Sequence, residues 1–226
     1  MDRPDPLAHS MQCILVITDS WTASHGTLCT FQRRDNSGWQ QNGEQASVVV
    51  GRAGLAWGRG DVATSGFGGP IKREGDDKAP AGVFRLGTAF GYAAHPVVTK
   101  MPYLHLSNQI VAVDDTNSRY YNRLVDVTTV PHPDWRSAEN MILRDDRYKW
   151  GVVVLHNADA APGAGSCIFM HVWKDGSTAT SGCTAMPEPV MVKLLEWLDP
   201  AKQPRLVQLP RSIYNEVRGK WRLPDK

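Results

Sequence analysis

The sequence predicts a mainly β fold, and three observations carry that prediction. Short runs rich in β-branched and aromatic residues recur along the chain, each bounded by turn formers. Eight Trp, fifteen Pro and twenty Gly among 226 residues favour strands and turns over a helical bundle. One stretch alone, residues 187–198, carries a clear helical period.

Taken in order, residues 1–11 are polar and proline-rich without periodicity, and read as a loose tail. Residues 12–18 and 27–33 read as strands joined by a connection near 19–26, and 47–51 as a short third strand. Residues 51–70 are glycine-rich, but no Gly-Lys-Ser/Thr follows and no helical pattern opens after them, so turns and loops are expected rather than a phosphate cradle. A charged loop over 70–82 leads to a strand at 83–86. Residues 103–106 and 110–114 are short strand candidates. Residues 114–126 read as a long surface loop, and 136–147 as one helical turn or two. The Val-rich run 150–157 is the strongest strand pattern, and 167–173 returns from it.

In 187–198, Val190, Met191, Leu194, Leu195 and Leu198 form one apolar stripe. Pro187 suits the first helical position, Glu188 the positive end of the dipole, and Pro200 stops the helix. Residues 205–209 resemble a last strand before a basic tail. No repeat and no linker divides the chain, so one domain spanning 1–226 is expected.

Charge nearly balances, with 25 basic against 23 acidic residues. Bulk electrostatics therefore gives no support to nucleic-acid binding. No apolar run reaches the length of a membrane span, and no secretory leader is visible. Of the four cysteines, Cys13 and Cys29 lie at comparable places in consecutive strands, which leaves a bridge or two buried thiols open.

The chemistry centres on residues 166–186. In a strand, alternation puts Cys167, Phe169, His171 and Trp173 on one face, and Ile168, Met170 and Val172 on the other. Cys183 follows in a small-residue turn, Ser181-Gly182-Cys183, ahead of the helix. A thiol is a weak nucleophile until a base or a positive field favours its thiolate. His171 is the candidate base, with a small contribution from the helix dipole. Backbone N–H groups around Gly182 and Cys183 are the candidate oxyanion hole. Metal binding competes poorly. Cys167 and His171 lie roughly 13 Å apart along a strand, and there is no His-Glu-x-x-His and no Cys-x-x-Cys. No cofactor is called for. Cys167 reads as a buried small hydrophobe.

The segment Met170-His171-Val172-Trp173, followed by Thr180-Ser181-Gly182-Cys183-Thr184, resembles the active-site signature of the L,D-transpeptidase (YkuD-type) catalytic domain family. Residues 78–84 resemble the family's T-P-x-G-x-F stretch, and Tyr121-Asn122 and 150–157 fit the same domain. The resemblance implies a β-sandwich-like domain with one principal helix after the catalytic cysteine. It implies Cys183 as nucleophile and His171 as base, and peptidoglycan stem peptides as partners. The reaction would be thioester formation with loss of D-alanine, then transfer to an amine. A periplasmic or cell-envelope location is implied as well.

Two departures from the family pattern stand out. Val172 follows the histidine where the family usually has Gly, and Thr184-Ala185 follow the cysteine where it usually has Arg or Asn. A cation from elsewhere is therefore expected to meet the substrate carboxylate. Arg73 and Arg119 rank above Lys72 because a guanidinium grips a carboxylate in bidentate fashion. Ser181 and Tyr121 complete the expected substrate-binding set. Two other readings stay open: a cysteine amidase or L,D-carboxypeptidase acting on the same peptides, and a non-catalytic wall-binding domain.

Overall fold

In the computed structural model the described residues are 5–34, 38–64, 66–94 and 97–226. Strand takes up 35% of the chain and helix 12%, so the fold is mainly β as expected. The strands are β1 (Gln12–Thr18), β2 (His25–Gln32), β3 (Gln40–Val49), β4 (Leu55–Trp57), β5 (Ala79–Gly91), β6 (Tyr103–His105), β7 (Ile110–Val113), β8 (Arg123–Asp126), β9 (Ala138–Asn140), β10 (Trp150–Val154), β11 (Phe169–Val172), β12 (Thr184–Met186) and β13 (Arg205–Pro210). Helix α1 (Glu188–Trp197) precedes β13, and α2 (Arg211–Val217) follows it.

The large sheet runs β10-β11-β12-β3-β2-β1-β13-β5-β4, with β6 added beside β5. The long strand β5 returns the path to its start, since residues 82–85 pair with β13 and residues 86–91 with β10. A separate three-stranded sheet runs β8-β7-β9. β1 lies between β2 and β13, which pair with both of its edges, and all seven of its residues are buried.

Strand β11 divides two apolar clusters. Ile168, Met170 and Val172 join the larger core, where α1 contributes Met191, Leu194 and Leu195, backed by Leu198. Phe169 faces the other way, into a cluster with Phe90, Tyr148, Met141 and residues of β7. Three rings lock that second cluster edge to face: Phe90–Phe169 at 5.1 Å, Tyr148–Phe169 at 5.8 Å and Phe90–Tyr148 at 5.9 Å. One face of β11 thus meets a helix and the other meets the small sheet, as the predicted alternation requires.

Several local expectations are corrected. Residues 5–10 are tied down rather than loose. Leu7 is fully buried, and the Arg33 guanidinium donates to the carbonyls of Leu7, Ala8 and Ser10. Within the expected surface loop 114–126, β8 pairs with β7, and Tyr121 is buried. The stretch 136–147 holds β9 and only the start of one 3-10 turn at Asp146–Tyr148. The basic tail contains α2, which buries Ile213, Tyr214 and Val217. Cys13 and Cys29 are free thiols, offset in register because Cys13 stands opposite Phe31 and Cys29 opposite Leu15. No helix among the described residues is long and apolar enough to cross a membrane.

Candidate active site

The pairing of β11 with β12 sets the geometry. The strands run parallel with Met170 opposite Thr184 and His171 opposite Ala185. Cys183, just before β12, comes alongside Phe169, whose N–H points at the Cys183 Sγ from 3.3 Å. The connection between the strands is built from short polar side chains. The Asp175 carboxylate accepts from the N–H and hydroxyl groups of both Ser177 and Thr178, which holds its pKa well below the usual range. Thr180 is then fastened to the end of β3: its N–H donates to Val50 O, and its carbonyl accepts from Arg52 N–H.

The Thr180 hydroxyl closes the cysteine turn. It donates to Cys183 O at 2.6 Å and accepts from Gly182 N–H at 3.1 Å. The Gly182 N–H is therefore engaged, whereas the Cys183 N–H has no protein partner among the described residues. A Cβ on Gly182 would stand 3.2 Å from Ile168 Cδ1 and 3.3 Å from Lys78 O, so the turn packs tightly at that point. Strand β12 lies between Cys183 and α1 and sets the helix N-terminus back by about 10 Å. A dipole effect fades within the first turn, so the expected helix contribution to the thiol is lost.

Cys183 and His171 both line one pocket of about 300 Å³. No hydrogen bond joins them. The Cys183 thiol instead lies 3.7 Å from Cys167 O. Burial pushes that thiol up to about 12, and Glu139 adds to the effect; the Phe169 N–H, Lys72 and Arg147 oppose it. Burial lowers His171 to about 4, against the pull of the Val172 carbonyl. At neutral pH the resting pair is thus an uncharged thiol and an uncharged imidazole.

The tautomer follows from one contact. The His171 Nδ1 sits 2.7 Å from Val172 O, and a carbonyl only accepts, so Nδ1 carries the hydrogen and Nε2 the lone pair. The Tyr148 ring stands perpendicular to the imidazole at 5.1 Å, and its hydroxyl donates to Glu139 at 2.9 Å. His156, the other buried histidine of this region, differs. Its Nδ1 accepts from Arg59 N–H and its Nε2 meets Ala164 O, so both nitrogens are occupied.

Behind the pocket, Asn122 and Asn157 form a polar brace. Asn122 Nδ2 donates to His156 O at 3.0 Å and to Asn157 O at 2.7 Å, and its Oδ1 accepts from Cys167 N–H at 2.8 Å. Both asparagines and Cys167 have positive φ, between 51° and 62°. That conformation is uncommon away from glycine, and it takes Cys167 out of the strand. Cys167 is half-buried, lines the pocket, and directs its thiol to Val113 O rather than acting as plain core.

The expected substrate-binding residues separate in space. Ser181 lines the pocket and accepts from Arg52, which also pairs with Asp77 at 2.7 Å. Lys72 lines it too, but its ammonium is buried and already bound to Asp76 and Arg73 O. Tyr121 is a strut behind the wall, donating to Glu74. Arg73 and Arg119 are exposed and outside the lining. Arg119 pairs with Asp134 at 3.5 Å and lies over the Tyr120 ring. Arg147, which the sequence reading passed over, does line the pocket. Its Nε binds Asp145 at 2.9 and 3.0 Å, and its Nη groups make no hydrogen bond among the described residues. Nothing in the run Asp145-Asp146-Arg147 distinguishes that arginine from a solvated surface charge.

The family model for the L,D-transpeptidase catalytic domain, YkuD, matches residues 33–207, a span that includes His171 and Cys183. A search of curated proteins found no match. The match covers more than half of the chain, and the chain belongs to the YkuD family of L,D-transpeptidase catalytic domains.

Proposed function

We propose that this protein is a peptidoglycan L,D-transpeptidase working in the cell envelope through a thioester on Cys183. The observation that carries the reading is the shared pocket: Cys183 and His171 line it together, and the Val172 carbonyl fixes the hydrogen on Nδ1, which puts the proton-accepting lone pair on Nε2. Cys183 Sγ attacks the carbonyl of the third residue of a stem tetrapeptide while its proton passes to His171 Nε2. The resting pair is neutral, so the thiolate develops as attack proceeds. The Cys183 N–H is the available donor for the oxyanion, a contact typically worth about 2.7–4 kcal/mol in the transition state. Collapse breaks the peptide bond, and the proton on His171 goes to the amine of the departing D-alanine. An amine of a second stem peptide then attacks the thioester, gives a proton to His171, and the cysteine thiol is restored.

Arg147 takes the place of Arg73 and Arg119 as the cation for a substrate carboxylate. It lines the pocket with its Nη edge free. Gly182 serves the turn more than the oxyanion, because its N–H is held by Thr180. We also read the whole chain as one catalytic domain. β1 and β2 lie outside the matched span, yet β1 is central in the large sheet.

The test is mass spectrometry of the protein after incubation with a disaccharide-tetrapeptide, with and without an amine acceptor. The expected result is an acyl-tripeptide adduct on Cys183 and an amide product only when the amine is present. Turnover to free tripeptide alone would identify a hydrolase, and the absence of any adduct refutes the thioester.

A further inference from the structure

The pocket has an acidic wall that the acyl-transfer chemistry leaves unused. Ala112 stands opposite Glu139 and Val113 opposite Ala138 in the β7–β9 pair. Asp114 and Glu139 are thus diagonal neighbours on one face, and both line the pocket. Glu74 lines it as well. No Lys or Arg among the described residues forms an ion pair with any of the three, although Arg147 and Lys72 line other parts of the cavity.

Two unsatisfied polar atoms mark the same wall. Asp114 Oδ1 is buried without a hydrogen-bond partner. Ser166 Oγ, on a residue only 8% exposed that also lines the pocket, makes no well-formed hydrogen bond either, with the Tyr121 hydroxyl and the Cys167 thiol as its polar neighbours. Buried polar groups nearly always have partners, and an orphaned one costs about 1–3 kcal/mol. Orphaned acceptors beside unpaired carboxylates call for a cation that carries N–H donors. A metal ion fits poorly, since no group of three His, Cys, Asp or Glu residues among the described residues converges to hold one.

We propose that Asp114, Glu139 and Ser166 form a subsite for a primary alkylammonium group. Three N–H donors on one nitrogen match the carboxylate of Asp114, the carboxylate of Glu139 and the Ser166 hydroxyl. Burial raises the Glu139 carboxyl above its ordinary value, as expected of a carboxylate waiting for a counter-ion. What the bound group then does rests on the acyl-transfer reading: the ammonium gives one proton to His171 Nε2, the neutral amine attacks the thioester carbonyl, and the C–S bond breaks as the Cys183 sulfur regains a proton from His171. The binding itself does not depend on that reading.

The two claims separate in one experiment on the full chain. Nα-acetyl-L-lysine and its Nε-acetylated counterpart are titrated at pH 7 without any acyl donor, and binding is followed by NMR shifts of the pocket residues. The expected result is saturable binding of the free amine and binding of the Nε-acetylated probe weaker by about tenfold or more. Asp114→Asn and Glu139→Gln should each weaken the free amine by about tenfold. Glu139→Gln still accepts from the Tyr148 hydroxyl, and a wild-type-like amide spectrum verifies folding of both variants. Equal binding of the two probes, no binding of either, or unchanged affinity in both folded variants overturns the subsite. Failure of thioester formation by mass spectrometry overturns the acyl-transfer reading and leaves this result standing.

Discussion

Replacing Asn122 tests whether the brace behind the pocket carries stability. Its side chain makes three hydrogen bonds to backbone groups of His156, Asn157 and Cys167. At a net 0.5–1.5 kcal/mol each, their loss in Asn122→Ala costs about 3 kcal/mol. Asn122 also sits at φ 62°, where a Cβ without a compensating local hydrogen bond adds about 1 kcal/mol. The expected destabilisation is therefore about 4 kcal/mol, read as a lower urea midpoint at unchanged slope. Asn122→Gly loses the same hydrogen bonds but relieves the dihedral, so it should fall between wild type and the alanine variant. Because Asn122 holds the Cys167 backbone, whose carbonyl faces Cys183, the folded variants should also alkylate faster at Cys183. A loss below about 1 kcal/mol in Asn122→Ala would refute the brace.

Three further outcomes are expected. Cys183→Ala abolishes D-alanine release while Cys167→Ala keeps most of it, checked by mass spectrometry with circular dichroism as the folding control; equal loss in two folded variants would point to a two-cysteine mechanism. Arg147→Ala lowers kcat/KM on the tetrapeptide at least about tenfold, the equivalent of about 1.4 kcal/mol, whereas Arg73→Ala and Arg119→Ala each stay within about twofold; the opposite ranking would remove Arg147 from substrate binding. His171 and His156 both have folded pKa values lowered from 6.5 to about 4, so between those values the unfolded chain binds the more protons. Their contribution is complete above pH 6.5 and is lost as pH falls toward 4, by up to about 1.4 kcal/mol per pH unit for each histidine; assigned imidazole resonances of His156 and His171 titrating near 6.5 in the folded protein would contradict this.

Where a periodic pattern ran long enough, the sequence was legible. The apolar stripe of α1 and the unbroken run of β1 could be read directly, and the alternation along β11 sorted Phe169 and His171 from Met170 and Val172. His171 and Cys183, singled out by residue type and spacing, line one pocket. Short elements escaped. β9 is three residues, Ala-Glu-Asn, and exists through its pairing with β7 rather than by propensity. In α2, three buried side chains over seven residues were masked by the charges around them. The choice among cations failed for another reason. Whether Arg73, Arg119 or Arg147 reaches the pocket depends on how distant loops fold back, and no local pattern encodes that.

The partnership of β1 with β13 bears on how the chain is made. Cys13 lies beside Arg205 in a parallel ladder, so an early strand waits for one of the last before its second edge is covered. During synthesis, β1 and β2 can form a hairpin at once, but the far edge of β1 stays open until residue 210 has left the ribosome. That nascent intermediate exposes an apolar strand edge, the kind of surface that pairs with other chains. High sequence separation also slows closure once synthesis is complete. Production of this protein should therefore depend on holding chaperones during translation, and a chain stalled before β13 should aggregate rather than accumulate as a soluble fragment.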